Sequence, residues 1–153
     1  PENTREAIFD ALARRETYAT SGPRIALRFH AGWGIDEAMI DDPGLVQHLE
    51  ATAVPMGAVF STSQQPQSPE FLVWAVRDPL DAPLQRIQMV KGWIDDAGQT
   101  HEKVVDIACA DGLQVDPATG RCPDNGASVD LARCRFSDGL GDNELKTLWR
   151  DPD

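Results

Sequence analysis

The chain has 153 residues, 41% of them hydrophobic and 25% charged. That is enough for one ordinary domain burying about two-thirds of its unfolded-chain surface, and too apolar for a disordered tail. Acidic residues outnumber basic ones 25 to 14, for a net charge of -11. The resulting field repels phosphate backbones and anionic membranes, so nucleic acid and membrane are not expected partners. No stretch approaches the roughly 20 apolar residues of a membrane span.

The chain opens on Pro1 without Met and stops at Asp151-Pro152-Asp153, which reads as a piece of a longer protein. Twelve glycines and 11 prolines are too few for low complexity but enough to punctuate short strands. The expected class is mainly β, antiparallel and sandwich-like, with one N-terminal helix, and α+β if residues 42–51 are helical.

Asn3-Thr4-Arg5-Glu6 has the spacing of a capping box, and Ile8, Phe9 and Leu12 then form one apolar stripe with Arg14 and Arg15 at the C-terminal end of the dipole. A helix over about residues 4–15 follows, broken by Ser21-Gly22-Pro23. Arg24 to His30 alternates strictly, with Ile25, Leu27 and Phe29 on one face, as a half-buried strand does. Asp42-Pro43-Gly44 reads either as a turn or as the start of a short helix over Leu45 to Ala51. Residues 61–70 are polar with two prolines and read as an exposed loop.

Phe71 to Val76 is a continuous apolar run and reads as a central strand covered on both faces. Leu84 to Ile94 and Thr100 to Cys109 flank Asp95-Asp96-Ala97-Gly98-Gln99, whose glycine suits a hairpin loop with a residue at positive φ. Turn formers fill residues 110–127, and Val129 to Phe136 reads as a strand whose apolar phase slips after Leu131, as at a bulge.

Chemistry-bearing residues are sparse. His30, His48 and His101 are isolated, with no spacing that puts two imidazoles on one metal, so each reads first as a surface or half-buried histidine. No nucleophile elbow, Walker loop or dinucleotide fingerprint occurs, which leaves no catalytic residue to name. Cys109, Cys122 and Cys134 lack a C-x-x-C pair; Cys122 can bridge to either Cys109 or Cys134 in an oxidising compartment, or all three stay reduced. Asp111, Asp116, Asp124 and Asn125 offer hard oxygens of the kind calcium takes, though Asp and Asn are also ordinary turn formers. Trp33 and Trp93 each neighbour a glycine at a predicted strand end and are the candidates for stacking on a ligand such as a sugar, whereas Trp74 reads as core.

Six strings together carry a resemblance: ENTREAIFDALARRETYATSGPRI at 2–25, VPMG at 54–57, FLVWAVRDP at 71–79, LQRIQMVKGW at 84–93, THEKVVDIACADG at 100–112 and ELKTLWRDPD at 144–153. Over nearly its whole length the chain resembles the C-terminal part of the bacterial domain-of-unknown-function family 3604. Full-length members of that group resemble PHP-type (polymerase and histidinol phosphatase) hydrolases, whose clustered His, Asp and Glu bind two or three metal ions. The chain departs at Met56-Gly57-Ala58-Val59, where relatives have a second glycine and then an acidic residue.

The resemblance implies that residues 1–16 are the C-terminal helix of a preceding barrel domain. Residues 17–153 would be a β-rich accessory domain, truncated at its C-terminus and not catalytic alone. It implies no cofactor in this piece, divalent metal ions in the parent's barrel, the parent's own N-terminal catalytic domain as partner, and a periplasmic or secreted location. Tyr18, Thr20, Ser21 and Arg24 then become candidates for the rim of the parent's substrate site, with Arg24 suited to an anionic group. The alternatives are a β-sandwich module binding a glycan or a partner protein through Trp33 and Trp93, and a purely structural domain or an oligomer contact.

Overall fold

A computed structural model describes residues 2–59, 61 and 68–152. The fold is mainly antiparallel β with two short helices, and its sheets do not close into a barrel. The second helix, Leu45–Thr52, falls in the segment at 42–51 that reads as either a turn or a helix start, and the class remains mainly β. The chain divides into two compact units: Pro1–Gly22, Leu27–Trp74 and Lys146–Asp153 form one, Pro23–Ala26 and Ala75–Leu145 the other.

Helix α1 spans Arg5–Arg14. Its cap is Thr4 rather than Asn3: the Thr4 hydroxyl accepts the Ala7 amide at 3.2 Å, which moves the start one residue on and leaves Glu6 outside a capping box. At the far end Arg15 adopts φ 61, and the amides of Arg15 and Glu16 return to the Leu12 and Ala11 carbonyls. The turn at Gly57 lies against this end. Its φ is +84, and a Cβ there would run into the Arg15 carbonyl, so only glycine fits.

Strand β1 is Ala26–Gly32, two residues later than the alternation suggests at its start. The amide of Arg24 is bound to the Asp78 carboxylate at 2.9 Å instead of to a neighbouring strand, which keeps Arg24 out of the ladder. A short 3-10 turn at Glu37–Met39 leads to α2, Leu45–Thr52, which buries Leu45 and Leu49 one turn apart. Asp42 accepts the Gly44 amide at 2.6 Å, so the Asp-Pro-Gly segment is a turn that feeds a helix. After β2 (Val54–Pro55), β3 (Glu70–Val76) is a central strand in the sheet order β2-β1-β3-β8, where β8 is Glu144–Arg150.

The core of the first unit gathers Ile35, Leu45, Leu49 and Leu72, with Met39, Ile40, Trp74 and Leu148 packed against it. Across the sheet the rings of Phe29, Phe71 and Trp149 follow one another at 5.8 and 5.5 Å. The expected loop at 61–70 lies largely outside the described residues.

In the second unit, β4 (Arg86–Ile94) and β5 (Thr100–Cys109) form a long antiparallel ribbon. Its loop closes as the glycine predicts: Asp95 accepts the amides of Ala97 and Gln99, and Gly98 has φ +76. The bulge of this unit lies in the ribbon, where Ile87 pairs with Ala108 but Gln88 with Asp106. Residues 129–136 are therefore not one bulged strand. They are a small hairpin of β6 (Val129–Asp130) and β7 (Arg135–Phe136), and the phase slip after Leu131 is its turn. Asp130 caps that turn through the amides of Ala132 and Arg133, and Cys134 takes φ 50.

Candidate functional site

The most unusual surface is α1 itself. It is amphipathic, yet none of its residues is buried: Ile8 is 50%, Phe9 67% and Leu12 59% exposed. The stripe that should face a core faces outward, and a depression of about 440 Å³ lies along it between Ile8, Phe9 and Leu12 and the polar residues Arg5, Glu6 and Asp10. A three-turn helix gains little stability from propensity alone, and this exposed stripe adds no buried contact to hold it.

The segment leaving α1 carries the rim candidates. Tyr18, Thr20 and Ser21 are exposed in the first unit and Arg24 is exposed in the second. The Tyr18 hydroxyl accepts the Leu27 amide at 3.2 Å, which pins the ring at the edge of β1 and leaves its proton free to donate. Tyr18 thereby helps line a cleft of about 430 Å³ with Glu16, Phe29, His30, Pro55 and Met56. His30 is buried with its Nδ1 unpartnered, and burial together with the nearby Arg28 charge lowers its pKa although Glu50 opposes. Asp78, which holds the Arg24 amide, is kept below the usual carboxylate range by that bond and by the Leu80 amide.

The family model for the protein of unknown function DUF3604 matches residues 1–153. The chain belongs to this family. No curated protein and no solved structure matches it. The family assignment therefore places the chain without attaching a reaction to it.

The remaining candidates in this DUF3604 chain are largely engaged with its own groups. Trp93 is 40% exposed near the end of the ribbon, but its ring stacks on His101 at 5.2 Å and Lys91 sits 5.5 Å from its centroid. His101 in turn meets Asp95 at 2.8 Å, and that contact, with the Gln99 amide, holds the Asp95 carboxyl below its usual range. Trp33 is half-buried just past β1, in the other unit. Trp74 packs against the first core with Lys146 4.9 Å from its ring.

The acidic loop spends its oxygens mainly on backbone amides. Asp111 accepts the Gly141 amide with both oxygens and the Asn125 amide group with one, while Asp116 and Asp124 cap their own turns. Among the described residues no three His, Cys, Asp or Glu side chains converge as metal ligands. No described helix is long and apolar enough to cross a membrane. Of the three cysteines, Cys109 and Cys122 are disulfide-bonded and Cys134 is free and exposed.

Two buried carboxylates escaped the sequence reading. Glu70 accepts the buried Ile35 amide at 2.6 Å and the Arg150 guanidinium at 2.7 Å. Asp106, 3% exposed, accepts the Cys122 amide and the Gln88 side chain at 2.7 Å, with Arg86 and Arg121 at 3.3 and 3.4 Å. Burial alone raises its pKa, but those bonds and charges outweigh burial and hold it below the usual carboxylate range. The available signal for Asp106 was a lone carboxylate in phase with Val104 and Ala108 on a strand.

Proposed function

We propose that this chain is the non-catalytic C-terminal accessory domain of a PHP-like metal-dependent hydrolase, attached to that enzyme's barrel through α1. The observation that carries the reading is the outward-facing stripe of Ile8, Phe9 and Leu12. Helix α1 is then the last helix of the barrel, and residues 17–153 follow it as a separate β-rich domain. The divalent metal ions and the bond-breaking chemistry belong to the barrel. The described residues of this chain, which gather no metal-ligand set, contribute shape and contacts at the rim.

On this reading Tyr18, Thr20 and Ser21 of the first unit are rim candidates, and Arg24 of the second, taken by itself, is suited to pair with an anionic group on the substrate. A periplasmic or secreted parent is supported by the Cys109–Cys122 disulfide, since such bonds persist in oxidising compartments. The glycan-module alternative has the exposure of Trp93 in its favour, but that ring is already stacked on His101.

The test is the metal content of the full-length parent beside this chain, by elemental analysis after chelator-free purification. Metal in the parent and none in the chain supports the reading; metal bound by the chain alone, or by neither, contradicts it. In an active parent, Arg24→Ala should raise KM for an anionic substrate, and an unchanged KM would remove Arg24 from the rim.

A further inference from the structure

Three cysteines allow three single disulfides, and chain statistics do not favour the one present. Cys109 and Cys122 are 13 residues apart. Cys122 and Cys134 are 12 apart, and Cys109 and Cys134 are 25 apart. With loop closure falling as the three-halves power of length, a structureless chain would form the Cys109–Cys122 bond in only about two-fifths of molecules, with Cys122–Cys134 slightly ahead. Something in the folded second unit therefore selects the pair.

The selecting contact lies three residues from Cys109. Asp106 grips the returning chain twice: its own amide donates to the Gly120 carbonyl at 2.9 Å, and its carboxylate accepts the Cys122 amide at 2.7 Å. Between those two bonds Arg121 adds a charge contact to the same carboxylate at 3.4 Å. Gln88 and Arg86 on β4 bind the same two oxygens, Gln88 the one that meets Arg121 and Arg86 the one that accepts the Cys122 amide, so the carboxylate is held by four partners. With residues 120–122 tied to residue 106, the Cα atoms of Cys109 and Cys122 stand 5.6 Å apart, within the ordinary range for a disulfide. Cys134, in contrast, sits exposed in the turn of the separate small hairpin.

We propose that Asp106 is the positioning residue that directs Cys122 to Cys109 and leaves Cys134 as the free thiol. The step it guides is an ordinary thiol–disulfide exchange with a small disulfide oxidant such as glutathione disulfide. One protein thiolate attacks the oxidant and releases one glutathione. The second protein thiolate then attacks the mixed disulfide and releases the other, so two protein thiols are oxidised and two glutathione thiols form. Asp106 takes no electrons; it raises the local concentration of one thiol near the other.

The experiment is oxidative refolding of the reduced full chain in a glutathione buffer, with alkylation of free thiols and mapping of disulfide peptides by mass spectrometry. The native chain should form the Cys109–Cys122 bond almost alone. Asp106→Ala, which removes the acceptor of the Cys122 amide, should lower its share at least about two-fold, towards the two-fifths of the structureless chain, with Cys122–Cys134 rising most. Leu145→Ala, which weakens the same unit at a buried apolar position outside the β4–β5 ribbon, is the control and should keep the native pairing. Native pairing in Asp106→Ala would overturn the proposal. So would equal scrambling in the Leu145→Ala control at matched stability, because pairing would then follow from general stability.

Discussion

Replacing Asp106 by Ala with the disulfide intact removes the one carboxylate that faces the Cys122 amide, the Gln88 side chain and two guanidinium groups. The two 2.7 Å bonds are charge-assisted, and each such bond is worth about 1.5–3 kcal/mol. Against that stands the desolvation of a carboxylate whose side chain is 0% exposed, which the variant no longer suffers. The orphaned guanidinium groups cost little, because Arg86 and Arg121 remain 29% and 46% exposed and can take up water. The net loss expected is about 3 kcal/mol, at the lower end of the range for breaking a buried ionic network. Urea unfolding at neutral pH, followed by tryptophan fluorescence, measures it as a lower midpoint at unchanged slope.

The pH dependence supplies a second readout on the same variant. The folded-state pKa of Asp106 is lowered, so its contribution is complete above the unfolded value of about 3.9 and is lost as pH falls through the folded value. Asp106→Ala should therefore narrow the gap to the native chain below about pH 4. A loss under about 1 kcal/mol at neutral pH, or a gap that does not shrink in acid, would refute the claim that this carboxylate is a charged tie.

Other outcomes follow from the same reasoning. Leu49→Ala, at a fully buried site on α2, should cost about 3–4 kcal/mol in urea unfolding through the cavity it leaves. Gly57→Ala should cost more than about 1 kcal/mol, since it must strain a φ of +84 and push the Arg15 carbonyl aside; faster amide exchange at Arg15 and Glu16 would locate the damage. The folded His30 has a lowered pKa, so the unfolded chain binds the proton better and stability falls as pH drops below about 6.5. His30→Phe should flatten that part of the urea-midpoint profile. Phe9→Ser in the isolated chain should change stability by under about 0.5 kcal/mol, because the ring is already 67% exposed.

Local patterns read well from sequence. The alternation of β1, the glycine loop at Asp95–Gln99 and the apolar run of β3 each depend on neighbours within a few residues. The apolar stripe of α1 was equally legible, but a period says which face seeks cover and not whether this chain supplies it. The contacts that tie the second unit together were not legible, since Asp106 meets partners 15, 16, 18 and 20 residues away. Glu70 likewise joins Ile35, 35 residues before it, to Arg150, 80 residues after it. The slip after Leu131 looked like a bulge because a two-residue strand is too short to declare a period of its own.

The central claim is that α1 belongs against a preceding domain, and hydrogen exchange of residues 5–14 tests it most directly. In this isolated chain those amides should exchange quickly, for a helix that buries no residue has little to hold it. In the full-length parent they should exchange at least about ten-fold more slowly as Ile8, Phe9 and Leu12 become covered. Equal, fast exchange in both would mean that the stripe faces solvent in the parent too, and would contradict the account.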